Sequence, residues 1–100
     1  MDSRSAEYRL TPKARDDLES IWRYSLKQWG IEQTKIYING LTTAFSFIAK
    51  NPASGFTCND IRTGYRKYTV VRHIIYYKQT TYGIEVVRVL HERMSATRHL

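Results

Sequence analysis

Near residue 60 the spacing of apolar residues changes from helical to alternating, and this change restricts the possible folds more than any other feature of the chain. From Thr11 to Pro52, "TPKARDDLESIWRYSLKQWG" and "IEQTKIYINGLTTAFSFIAKNP" return apolar residues every three or four positions. After the loop-like "NPASGFTCND", the segments "RTGYRKYTVV", "RHIIYYK" and "GIEVVRVLH" are rich in β-branched and aromatic residues. Helices followed by strands is the order of an α+β fold. At 100 residues there is room for one domain, spanning 1–100.

The first helix carries its own start and stop signals. Thr11 is placed to cap, Pro12 suits the first helical position, and Asp16, Asp17 and Glu19 lie toward the positive end of the dipole. Ala14, Leu18, Ile21, Trp22, Ser25 and Trp29 share one side, with both tryptophans read as core anchors, and Gly30 is a natural stop. In the second helix Thr34, Tyr37, Ile38, Leu41, Phe45 and Ile48 form the inward stripe, and Pro52 ends it. Gly40 costs about 1 kcal/mol against alanine, which implies close packing on the first helix. The link "WGI" is short, so the expected form is an antiparallel helical hairpin over about 11–51.

Three consecutive strands, with "QTTYG" as a turn, are expected to be antiparallel over about 61–91, and Tyr8–Leu10 can add a fourth. The expected architecture is α+β, a helical hairpin on one face of a small, mainly antiparallel sheet of three or four strands. Ile74 and Tyr76 point one way and Ile75 and Tyr77 the other. Ile84, Val86 and Leu90 share one face, Val87 and Val89 the opposite one. Both faces are apolar, yet two helices cover only one. The expectation is a bare apolar face awaiting a partner, the alternative being that residues 51–64 or the C-terminal tail fold over it.

Charge bears on the partner. The net charge is +7: residues 1–50 contribute +2 and residues 51–100 contribute +5. The second half suits nucleic acid or an acidic protein. With 42% hydrophobic and 25% charged residues the chain reads as globular. No apolar run is long enough to span a membrane, and "MDSRSAEYRL" lacks a signal-peptide core. Cys58, the one cysteine, has no disulfide partner, and a cytoplasmic protein is the default expectation. No His/Cys/Asp/Glu grouping has metal-ligand spacing, and the glycines are isolated, so no cofactor is expected.

"RVLHERM", Arg88 to Met94, sets a histidine among arginines, which fits either a phosphodiester-cleaving site or a surface that grips a partner. Cleavage needs a base, an acid and cations converging on one phosphate. Arg66, His73, Arg88, His91 and Arg93 are the candidates, but Arg88 and His91 are three apart and in a strand point to opposite faces. Read as purely structural, His91 is a strand-end histidine satisfied locally, and Arg88 is paired with Glu85 or an acid on the helices. Arg66 and Lys67 are then a solvated edge. "GYRKY" sets Tyr65 and Tyr68 about two basic residues, a pattern that suits nucleic acid and also arises from strand amphipathicity.

In combination, "YRLTPKARDDLESIWRYSLKQWG", "IYINGLTTAFSFIAKNPASG", "RTGYRKY", "HIIYYK" and "RVLHERM" resemble the ParE toxins of the RelE/ParE superfamily, over Tyr8 to Met94. The resemblance implies the toxin half of a type II toxin–antitoxin pair, neutralised by a ParD-like antitoxin whose C-terminal segment wraps around it. It also implies inhibition of DNA gyrase by binding, whereas RelE-like relatives cleave messenger RNA on the ribosome. Those ribonucleases use basic residues on the sheet with a tyrosine or histidine in the C-terminal segment, and "ERMSATRHL" has no tyrosine. The reading is therefore a binding toxin without catalytic residues, with RelE-type mRNA endoribonuclease as the alternative. Target or antitoxin contact is expected at Arg62, Tyr65, Arg66, His73, Arg88, His91, Arg93 and Met94, with DNA touched only within a gyrase complex and no membrane partner.

Overall fold

The computed structural model describes residues 6–100, so part of the N-terminal stretch read for a signal peptide lies outside the described residues. In chain order it has β1 (Glu7–Leu10), α1 (Pro12–Lys50), a 3-10 turn (Pro52–Ser54), β2 (Phe56–Thr57), β3 (Tyr65–Val70), β4 (His73–Gln79), β5 (Gly83–His91) and α2 (Ala96–His99). The strands form one sheet in the order β1-β5-β4-β3-β2. The α+β class holds, but the sheet has five strands and is mixed, because β1 lies parallel to β5. Gly83 makes that pairing possible. Its φ is +144° and a Cβ there would collide with the backbone of Glu7, so only glycine lets β1 come this close.

Thr11 joins β1 to α1 and caps the helix: its Oγ1 accepts from the Ala14 N–H (3.0 Å) and donates to Val87 O (2.8 Å). A straight helix of 39 residues would run about 58 Å, yet the longest dimension of the molecule is 43 Å. The difference is taken up at Gly30, whose φ 86° and ψ 176° interrupt the helix. Thr34 Oγ1 donates to the Gly30 carbonyl at 2.7 Å, satisfying an acceptor at the break. The expected two helices are present as two arms, but in place of a hairpin with a separate link they meet directly at the non-helical Gly30, both arms resting on the same face of the sheet. Gly40 is not a close-packing site, since nothing lies within 4 Å of where its Cβ would be.

The main core lies under α1. Ala14, Ile21, Leu41, Phe45 and Ile48 pack on Ile75, Tyr77, Ile84, Val86 and Val89. Each fully buried aliphatic side chain contributes about 1.5–3 kcal/mol. The alternation expected for β4 holds, with Ile75 and Tyr77 in this core and Ile74 and Tyr76 behind the sheet. For β5 it does not: the pairing jumps from Tyr76↔Arg88 to Tyr77↔Val86, leaving Val87 as a bulge. That extra residue puts Val89 with Ile84 and Val86, and sends Leu90 to the opposite face.

The opposite face is not bare. Cys58, Tyr76 and Leu90 are buried there, with Ile61 and Tyr65 from the loop side and Ala96 and Leu100 from the tail packed against them. The expected open face is therefore roofed by the chain's own residues. Tyr77 pins the near end of the loop, its hydroxyl accepting from the Gly55 N–H (2.9 Å) and donating to Pro52 O (2.7 Å). Trp22 is half-buried, but Trp29 is 54% exposed and is no core anchor.

Candidate functional site

A concavity lies elsewhere, where the bend of α1 overhangs the ends of β4 and β5. It is a groove of about 1060 Å³, walled by residues from Asp17 to Tyr37 of α1 and floored by His73, Val89 and His91. Apolar side chains line it without being buried: Tyr24 is 62% exposed, Val71 73% and Met94 40%. Tyr24 meets Trp29 edge-on at 6.2 Å. Arg72 and Arg93 supply positive charge at the rim.

Two cross-strand partners, His73 and His91, make the polar part of the floor, their rings 5.3 Å apart and nearly perpendicular. His73 Nδ1 lies 2.6 Å from the Tyr37 hydroxyl, which also reaches Val70 O at 3.2 Å. Both contacts are satisfied together when His73 donates from Nδ1 and Tyr37 donates to Val70. His91 Nδ1 accepts from the Arg93 N–H at 3.1 Å, so neutral His91 carries its proton on Nε2. Burial, then the neighbouring His91, lowers the His73 pKa to about 4, while Asp17 and Glu92 pull weakly the other way. Burial likewise raises the Tyr37 pKa, against the Arg72 backbone and charge.

Asp17 closes one end. Its carboxylate takes Arg88 in a fork, Nε to Oδ2 and Nη2 to Oδ1 both at 2.8 Å, and accepts the Val89 N–H at 2.9 Å. Arg88 Nη1 then donates to His99 O at 3.0 Å and holds the tail down. β1 ends opposite Val86, so Asp17 satisfies an edge group of β5 that β1 no longer reaches. Strong hydrogen bonds to Asp17 raise the Arg88 pKa further.

The expected contact residues are divided by this geometry. His73, His91, Arg93 and Met94 come together in the groove. Arg88 is held between Asp17 and the tail, its side chain 14% exposed, which matches the sequence expectation of a partner acid on the helices. Arg66 donates to Gly55 O at 2.8 Å and so holds the start of the loop, while Tyr65, with Arg62 over its ring at 5.7 Å, packs against the cluster on the second face. Sequence reasoning missed Asp17, Tyr24, Tyr37, Val71 and Arg72 as groove residues and took Trp29 for core. A signal existed for Tyr24, which lies off the inward stripe of its helix. There was none for Val71, which reads as the end of a strand. Among the described residues no three His, Cys, Asp or Glu side chains are placed to share a metal ion.

Residues 8–96 match the family model described as "ParE toxin of type II toxin-antitoxin system, parDE". The chain belongs to the ParE toxin family. Its curated relatives include Toxin ParE1 of Mycobacterium tuberculosis (strain ATCC 25618 / H37Rv), 42% identical over 97 residues and covering 96% of this chain and 99% of the relative. Toxin ParE1 of Caulobacter vibrioides is 38% identical over 93 residues, covering 93% and 96%. A solved structure described as "Chromosomal ParDE TA system from P. aeruginosa" superposes with a TM-score of 0.73 over 86% of this chain and 95% of that one. At 17% identity the superposition shows a shared fold. The toxin is thus built on the same α+β frame as that ParDE chain.

Proposed function

We propose that this ParE toxin inhibits DNA gyrase by binding it, without bond chemistry of its own, and that a ParD-like antitoxin neutralises it. The carrying observation is the groove, apolar in its walls, basic at its rim and positioned where His73, His91, Arg93 and Met94 meet. Such a surface fits an acidic protein segment with apolar anchors. Family membership and the ParDE description of the structural neighbour support the antitoxin as partner. DNA contact is secondary, made by the basic second half within a gyrase complex in the cytoplasm. The test is a supercoiling assay with purified gyrase. Loss of supercoiling with trapped cleavage complexes is expected, and full activity at excess toxin overturns the reading.

A RelE-type ribonuclease is the second reading, favoured by one observation: two histidines and two arginines share the groove. Against it, His73 Nδ1 is tied to Tyr37 and the lowered pKa makes that ring a weak base, while Nδ1 of His91 is taken by the backbone. Messages cut in a translation extract by the wild type and spared by His91→Ala are the result this reading needs.

A further inference from the structure

Val71 is out of place by every local rule. β3 and β4 are joined by two residues, Val71 and Arg72, between the paired Val70 and His73. A two-residue hairpin turn calls for positive φ at its first position, which glycine and asparagine supply easily. Val71 supplies it instead, at φ +53°, a conformation β-branched residues rarely adopt. No packing compensates, because the side chain is 73% exposed. The turn is held by its neighbour: Glu92 N–H donates to Arg72 O at 2.8 Å and the Glu92 carboxylate meets the Arg72 guanidinium at 3.6 Å.

A strained, exposed, apolar residue is costly twice over, and both costs fall on the groove that Trp29 and Met94 also line. We infer that Val71 is an affinity-determining anchor of this groove, contacting an apolar side chain of an acidic protein segment whose carboxylates meet Arg72 and Arg93. An acidic occupant is argued from charge, since the chain carries +7 overall and Arg93 and Arg72 stand at the rim, Arg72 being shared with Glu92, whose place an incoming carboxylate would take. A protein segment fits better than nucleic acid because most of the groove's surface is hydrocarbon and the Trp29 ring is already packed perpendicular to that of Tyr24. This inference rests on the proposed antitoxin partnership and names the residue that sets its strength.

The experiment compares wild type with Val71→Asn and Val71→Gly, reading thermal unfolding of the free toxin and its affinity for the ParD-like antitoxin. Asparagine tolerates positive φ and lacks the apolar branches. The inference expects an unchanged or higher Tm in Val71→Asn together with roughly tenfold weaker antitoxin binding, in proportion to the hydrocarbon removed. Full affinity in both variants overturns it, as does a fall in Tm, which would show that Val71 stabilises the turn by packing. Displacement of bound antitoxin by a single-stranded oligonucleotide also overturns it, by making nucleic acid the occupant. If wild-type toxin binds no antitoxin, the partnership itself fails, a result distinct from a variant that binds as well as wild type.

Discussion

Asp17 joins three parts of the molecule at one carboxylate: α1 carries it, the β5 edge donates to it, and through Arg88 it secures the tail. With the pair's side chains only 14% and 13% exposed, loss of one member leaves the other desolvated without compensation. Arg88→Ala is expected to lower stability by about 3 kcal/mol in a urea titration, and to speed hydrogen exchange at the Leu100 amide as the tail comes free. His73 predicts the response to acid. Its folded-state pKa, about 4, lies below the ordinary 6.5, so the unfolded chain takes up the proton first as the pH falls. The groups facing it are Tyr37, His91, Asp17 and Glu92. Its contribution is fully present above pH 6.5 and is lost between 6.5 and 4. After solvent screening this amounts to about 1–2 kcal/mol. His73→Gln should flatten that part of the stability–pH curve; an unchanged slope would assign the acid response to other groups.

At the scale of elements, two glycines of α1 predict opposite outcomes. Gly30 makes the bend at φ +86° with open space around it, so Gly30→Ala meets a purely conformational penalty of about 1–3 kcal/mol. Gly40 lies within the helix with equal space around it, so Gly40→Ala should stabilise by about 0.5–1 kcal/mol. Thermal unfolding of the two variants should move Tm in opposite directions. The helical arms were legible because Leu41, Phe45 and Ile48 repeat at helical spacing and Thr11 and Pro12 mark the start. The direct junction of the arms was not, since Gly30 reads as a stop and "WGI" as a link between separate helices. The sheet was legible in part. β2 is two residues long and has no periodicity to read, and β1 shows no sign of being parallel until Gly83 is seen against Glu7. The bulge at Val87 misled the face assignment of Leu90 because alternation assumes an unbroken ladder.

For the whole molecule, the family was legible from the order of motifs, whereas the groove was not. Counting faces predicted a bare sheet, but Cys58, Ile61, Ala96 and Leu100 close it, and a groove partly lined by exposed apolar side chains lies beneath the bend instead. That groove joins residues far apart in sequence, from Asp17 to Met94, which no short motif records. Of the expected contacts, His73, His91, Arg93 and Met94 reach it, Arg88 is held between Asp17 and the tail, and Arg62, Tyr65 and Arg66 lie away from it. No helix among the described residues is long and apolar enough to cross a membrane. The central claim is that the toxin works through contact made in this groove. A gyrase supercoiling titration with Met94→Asp beside wild type tests it most directly. Wild type should abolish supercoiling while the variant, equally folded but with a charge set among the apolar walls, leaves it largely intact; equal inhibition by both, or by neither, would contradict the account.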